Sequence, residues 1–413
     1  MRMGWMIYLI IMTILVSGCN NTTQENDYTL LNPPVEIDEN DDQMLEDITN
    51  HKLIVHSRGN IEAEYEPYHV ILDPESVATV HRIINQGNWT KVKFEMSRPA
   101  DYRISFQPTQ GPHTEKISYE VWITNGYAEL YIQELQSYKK LAKIDSDVLS
   151  TIMIQSISSA KEYTALLSAT LPSLTTAQAD IKLMELEEFY RIDLRKVHAS
   201  FLDESTISAF KHLQNPITLE VVAQVPDHDA KQLAMDAFEG KYKLIEGEGV
   251  VVPIIDYRAL LSYTSRLSPA MVAYLELMAV GSDNPMKADG GIIIEWDEIA
   301  RRALQAEAYL TTYPQSPRYD QVELEFHKNL LSFFIGSSNT QIFESDRTLR
   351  PDVRTAFDQV IATHGDKLTG KLTEKFSVLL ERLTKEYPAA EDVFKDPFYE
   401  EISKFIDALE ERL

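Results

Sequence analysis

The sequence predicts an α+β protein, a small mixed α/β sheet domain followed by a larger, mainly helical domain. Two patterns carry this reading. Residues 51–154 hold short β-patterned runs with a strong hairpin signal, whereas residues 155–413 repeat apolar residues at helical spacing with start and stop residues between them. Composition agrees: 44% hydrophobic and 25% charged residues are ordinary globular material, and a 413-residue chain has two domains as its default expectation.

Taken in order, residues 1–18 read as a signal peptide. Arg2 gives a positive start and Met6 to Val16 is an almost unbroken apolar run, too short to span a bilayer. Leu15-Val16-Ser17-Gly18-Cys19 resembles the lipobox of bacterial lipoproteins. That resemblance implies cleavage after Gly18 and acylation of Cys19, the only cysteine in the chain, so Cys19 is the expected lipidation site. The other reading of these residues is an ordinary cleaved signal with an incidental cysteine. Two acyl chains anchor stably, since each buried methylene contributes about 0.8 kcal/mol. The expected setting is the outer face of the cell membrane, with the membrane as partner through the lipid. A mature chain whose only thiol is acylated forms no disulfide and depends on its core.

Residues 19–50 follow as the acylated cysteine and an acidic tether. Asn20 to Asn50 carries nine acidic residues and no Lys or Arg, with Pro33-Pro34 in the middle. Such a stretch buries too little apolar surface to offset its chain entropy, and its like charges extend it. An arm docked through Leu30, Leu31 and Val35 is the alternative. The whole chain has a formal net charge of −25, which argues against nucleic acid as partner.

In residues 51–154, strands are expected at Leu53 to Val55, Lys91 to Met96, Tyr102 to Phe106, Tyr119 to Thr124 and Ala128 to Ile132. Asn125-Gly126 joins the last two as a hairpin turn. Asp73-Pro74 opens a helix to about Asn85, with Pro74 at the first helical position, and a second helix covers Asp145 to Ile152. Trp89, Arg98-Pro99-Ala100-Asp101-Tyr102, Tyr119-Glu120-Val121-Trp122-Ile123, Glu129-Leu130-Tyr131, Ser137-Tyr138-Lys139-Lys140-Leu141 and Asp145-Ser146 resemble the YhfM-like domain of Gram-positive lipoproteins, over about a quarter of the chain. The resemblance implies a surface-lipoprotein setting and no particular activity. The aromatic residues themselves read as core or half-buried sheet positions.

In residues 155–413 the spacing predicts helices at Ser158 to Thr170, Ala177 to Tyr190, Ser205 to Leu213, Asp227 to Phe238, Asp256 to Leu267 and Pro269 to Val280. They continue at Trp296 to Thr312, Pro317 to Ile335, Pro351 to Thr363, Thr369 to Tyr387 and Asp392 to Leu413. Ser268-Pro269 and Ser316-Pro317 read as N-caps followed by Pro, and Gly281, Gly336 and Gly365 as C-caps. Strands are expected at Ile217 to Val225 and Lys241 to Ile255, the latter around Gly247-Glu248-Gly249.

Three segments touch on chemistry. Ser158-Ser159-Ala160-Lys161 and Ser282-Asp283-Asn284 match two signatures of penicillin-recognising serine enzymes, while Lys367-Leu368-Thr369-Gly370 carries one residue too many for the third. The bland reading is a solvated helix face and a turn. Asp227-His228-Asp229 reads as a helix cap, Glu323 and His327 share one helix face, and Asp283 to Asp289 with Asp297 and Glu298 is rich in oxygen donors. None of these has the spacing of a complete metal motif. No cofactor motif is readable. Loops on rigid scaffolds carry function, so the polar exit Gly336, Ser337, Ser338 and Asn339 beside the Trp296 to Ile335 helical hairpin is the candidate binding loop. The sequence therefore points to a non-enzymatic, lipid-tethered accessory protein binding an envelope protein, polymer or small solute. The alternative is an envelope hydrolase with an unfamiliar active site.

Overall fold

The computed structural model describes residues 35–36, 48–58, 65–92, 98–109, 117–154, 157–247, 249–387 and 396–410. Its first part is one antiparallel sheet. The strands are β1 (Val35–Glu36), β2 (His51–Arg58), β3 (Tyr65–Ile71), β4 (Thr90–Lys91), β5 (Tyr102–Pro108), β6 (Ser118–Thr124), β7 (Tyr127–Ile132) and β8 (Ser137–Lys140). They lie in the order β1-β4-β8-β7-β6-β5-β2-β3. Alternation along the strands decides which face is covered. Leu53, Val55, Ile104, Val121 and Leu130 meet Val77, Val80 and Ile83 of helix α1 (Pro74–Asn85) and Leu149 of helix α2 (Lys143–Met153) in one buried cluster. Ala100, Trp122 and Tyr131 form a smaller buried cluster of their own. Asn125 and Gly126 both take positive φ, 53° and 76°, as the tight turn between β6 and β7 requires. Asp73 caps α1 by accepting from the Ser76 N–H, and Pro74 takes the first turn as expected.

The structure adds to the sequence reading at three places in this part. Val35–Glu36 pairs with Thr90–Lys91, so the segment expected to be a free tether is docked on the sheet edge there. β3 was hidden by Pro67, which an edge strand tolerates, and the β2 to β3 register shifts opposite it between Val55 and His56. β8 turns the Lys139 ammonium inward, where it donates to the carbonyls of Ile83 (3.1 Å), Ile84 (2.8 Å) and Gln86. It thereby closes the C-terminal end of α1. Of the strand expected at Lys91 to Met96, Lys91 lies in β4 and Val92 follows it outside the strand, while residues 93–97 lie outside the described residues, as do Cys19 and the signal segment.

The second part is helical: α3 (Ala160–Thr170), α4 (Thr176–Phe201), α5 (Glu204–Phe210), α6 (Leu219–Val222), α7 (His228–Glu239), α8 (Tyr257–Leu260), α9 (Pro269–Asp283), α10 (Trp296–Thr312), α11 (Tyr319–Ile335), α12 (Pro351–His364), α13 (Leu368–Glu386) and α14 (Pro397–Glu410). Two hairpins interrupt it, β9 (Tyr242–Gly247) with β10 (Val250–Ile255), and β11 (Lys287–Ala288) with β12 (Gly291–Ile292). Side-chain caps start α4, α7, α8 and α9, with Thr175 and Gln178 forming a reciprocal capping box.

Three expectations are corrected. Ile217 to Val225 is not a strand: Thr218 caps the short helix α6, whose apolar run is explained by burial of Val222 and Val225. Gly281 does not end α9, which continues to Asp283. Ser316 does not cap α11. Arg318 occupies that position, and the Ser316 hydroxyl instead accepts from the Arg318 N–H at 3.1 Å.

Glu185 of α4 clasps the two parts together. Its Oε1 accepts from the backbone N–H groups of Leu72 (3.2 Å) and Asp73 (3.1 Å), which lead into α1. A carboxylate at a helix N-terminus meets both unpaired donors and the positive end of the dipole. Lys182 donates to its other oxygen at 2.7 Å.

Candidate functional site

A cleft of about 640 Å³ opens among β10, α8, α9, α10 and α11, within the roughly 300–1,000 Å³ span of small-molecule sites. Its walls are apolar: Ile254 and Ile255 of β10, Leu277 and Met278 of α9, Met286 beyond it and Leu331 of α11. Two methionines give such a wall an adaptable surface. Gly281 lines the cleft with no side chain of its own, and a Cβ built there would meet no atom within 4 Å.

The polar groups come from the α10 and α11 pair. Trp296 Nε1 donates to the Phe333 carbonyl at 3.0 Å and fixes the antiparallel level of these helices. At 1.5 Å rise per residue, Arg302 and Asn329 then lie within about 3 Å of each other along the axes. Both line the cleft and both are buried, 7% and 5% exposed. Arg302 donates through Nε to Glu298 (2.8 Å) and through Nη2 to the Asn284 carbonyl (2.8 Å). Its Nη1 has no acceptor among the described residues. Asn329 donates through Nδ2 to the Glu325 carbonyl at 2.6 Å. An acceptor there fixes which amide atom is nitrogen, so Oδ1 is the other, and it is buried without a partner. A buried polar atom left open costs about 1–3 kcal/mol. Asn329 Oδ1 is thus sealed within the helix pair, whereas Arg302 Nη1 is not among the sealed atoms.

Tyr257 ties the cleft to a buried charge network. Its hydroxyl (3.1 Å) and that of Tyr274 (2.7 Å) donate to Glu187 Oε1, while Arg318 Nη2 donates to Oε2. Burial, then the Glu187 charge, pushes both tyrosines far above their ordinary range. For Arg318 burial is the largest cause and opposes the charge, but Glu187, Tyr274, Tyr257 and Glu188 together outweigh it and hold the guanidinium above its ordinary value. These hydroxyls stay protonated donors, and the network joins α4, α8, α9 and the start of α11.

The candidate loop does not line the cleft; it props the cleft's rim. Gly336 ends α11 at φ 73°, and a Cβ there would lie 2.2 Å from the Thr340 carbonyl oxygen, so only glycine fits. Ser337 bridges Thr340, and Ser338 and Asn339 hold the tip of the β11 to β12 hairpin. Asn339 N–H and Ser338 Oγ donate to the Gly290 carbonyl at 3.3 and 3.4 Å. Lys287 at the base of that hairpin lines the cleft.

The three serine-enzyme segments are not brought together. Lys161 donates to Asp236 and Glu239, which hold its ammonium above the ordinary lysine range and remove it as a base, and Ser158 Oγ donates to Glu162 instead. Ser282 Oγ donates to the Ala279 carbonyl within α9, and Asp283 pairs with Lys243 and Arg258. Leu368 and Thr369 start α13 on the Glu307 carboxylate. Asp227 caps α7, as expected. Among the described residues no group of three His, Cys, Asp or Glu side chains is placed to hold a metal ion.

A second cavity of about 540 Å³ lies at the junction of the two parts, lined by His69, Lys182 and Glu185 and by apolar side chains such as Ile152 and Leu166. Its polar groups satisfy one another through the Glu185 clasp, and His69 Nδ1 donates to the Met153 carbonyl at 3.3 Å. The first cleft, larger than this cavity and lined by the buried Arg302, is the candidate. Sequence reasoning missed it because its wall is assembled from several elements far apart in sequence, although Asn329 on the apolar side of α11 was a visible irregularity. Comparison of the chain with protein-family models, with curated proteins and with solved structures finds no match.

Proposed function

We propose that this chain is a non-enzymatic ligand-binding lipoprotein, moored through Cys19 to the outer face of a membrane, with the α9 to α11 cleft as its binding site. One observation carries the binding role: an apolar cleft of ligand size, walled by Ile254, Ile255, Leu277, Met278, Met286 and Leu331, with the Arg302 guanidinium in its lining. The lipobox and the resemblance to YhfM-like lipoproteins support the mooring. No helix among the described residues is long and apolar enough to cross a membrane, so on this reading the lipid holds the protein. The acidic stretch after Cys19 spaces the body from the surface.

Two measurements test the two halves separately. Cys19→Ser should shift the protein from the membrane fraction to the medium or periplasm; unchanged membrane retention would refute the mooring. An apolar fluorophore should bind the full chain and be displaced in Gly281→Phe, whose ring fills the space beside α9. Equal fluorophore binding by both proteins would refute the cleft as the site.

A further inference from the structure

We propose that the cleft binds an amphipathic anion, a straight apolar chain ending in a carboxylate, a reading that rests on the cleft being a ligand site. Charge sets the requirement. The chain carries 64 acidic residues against 39 Lys and Arg, yet among the described residues the charged groups lining the cleft are Lys287, Arg302 and Lys328 against Glu325. Glu325 is already answered by Lys328 at 2.7 Å, and Glu298, the partner of Arg302, is shared with Arg301. Lys287 has no ion-pair partner among the described residues. The cleft therefore keeps a positive excess inside an acidic protein, which favours an anionic occupant.

Two of these cations stand at one end of the cleft. Arg302 is 7% exposed, with Nε and Nη2 committed to Glu298 and to the Asn284 carbonyl, while Nη1 has no acceptor among the described residues and is not sealed. Lys287 follows Asn284 by three residues, so the two are at most about 11 Å apart from Cα to Cα. A carboxylate entering there meets a guanidinium in the wall and an ammonium at the rim, a charge-assisted pair of contacts. Ile254, Ile255, Leu277 and Leu331 give the rest of the ligand an apolar surface, and Met278 with Met286 adapts to its length. A sugar would need polar partners along its whole length, and a cation would meet like charge.

The test titrates the full chain, below the aggregation threshold of each ligand, with octanoate, decanoate and dodecanoate, with methyl dodecanoate and with dodecyltrimethylammonium. Affinity should rise about fourfold for each added methylene. Dodecanoate should bind at least about tenfold more tightly than its methyl ester, which lacks the charge, and the cationic amphiphile should not compete. Lys287→Glu, at an exposed position, should cut the preference for acid over ester at least about threefold. Arg302→Gln should abolish it, with the urea midpoint measured beside it to recognise a folding defect. Equal binding of acid and ester, tighter binding of the cation, or a preference unchanged in Lys287→Glu and Arg302→Gln overturns the anion reading and leaves the cleft as a site. Dodecanoate binding that survives Gly281→Phe lies outside the cleft and overturns the assignment. Binding of no amphiphile overturns the ligand class, and if the fluorophore also ignores Gly281→Phe, the cleft itself is refuted.

Discussion

Arg318→Met is expected to destabilise the helical part by about 3–5 kcal/mol, because it strands a buried carboxylate. Glu187 is 9% exposed and Arg318 6%. Removing the guanidinium leaves Glu187 with two tyrosine donors and no counter-charge. Glu187→Gln should cost a similar amount from the other side, since Arg318 would keep its charge with only a neutral acceptor. The double substitution Glu187→Gln with Arg318→Met removes both charges yet keeps an oxygen for Tyr257 and Tyr274, so its loss should be only about 1–2 kcal/mol. Urea unfolding followed by far-UV circular dichroism reads this as a midpoint drop on the order of 1 M for each single variant and much less for the double. The coupling is therefore several kcal/mol. If the double variant loses the sum of the two singles, the pair is not a closed buried unit, and the argument from uncompensated charge fails.

Gly281→Ala should raise stability by about 0.5–1 kcal/mol, because it adds a helix former inside α9 where a Cβ meets nothing within 4 Å; a fall in thermal midpoint would contradict the open space assigned there. Gly336→Ala should cost more than about 1 kcal/mol and speed amide hydrogen exchange in residues 287–292, which the 336–340 turn supports. His69→Gln tests the junction by pH. Burial, the largest cause, lowers the His69 pKa, with Glu185 opposing and Lys182 assisting. Its contribution to stability is thus fully present above the unfolded value near 6.5 and is lost as pH falls through the lower folded value. The wild-type chain should lose stability between about pH 6.5 and pH 5 more steeply than His69→Gln, and parallel curves would refute a buried neutral histidine.

Most of the fold was legible because local chemistry and tertiary packing agree along most of the chain. Trp296 to Thr312 is helical over the expected span, as its acidic first turn and apolar stripe require. Ser268-Pro269 does start α9. The failures share one cause: a local signal overruled by a contact remote in sequence. Pro67 hid β3, an edge strand that has no central ladder to lose. Lys139 marks β8 as solvated by composition, yet its ammonium is drawn in by carbonyls at the end of α1, some fifty residues earlier. Gly281 resembled a stop but sits in a helix whose neighbours leave it unfilled.

The cleft was illegible for a related reason, and that reason bears on where to look in such chains. Catalytic signatures are short because a reaction needs groups fixed on one turn or strand, which is why Ser158, Ser282 and Lys367 attracted notice although the fold keeps them apart. An apolar binding site needs no such local spacing. Its walls are indistinguishable from core until packing leaves them uncovered, and only its polar atoms break the pattern. Asn329 and Arg302 are the breaks: polar residues on helix faces otherwise given to Ala303, Ala306, Phe326 and Leu330. Burial alone does not mark a site, since Arg318 is buried against Glu187 in a structural role. Asn329 Oδ1 and Arg318 Nε are both buried without a partner, so what separates Asn329 and Arg302 is their place in the cleft lining, which is known only once the packing is.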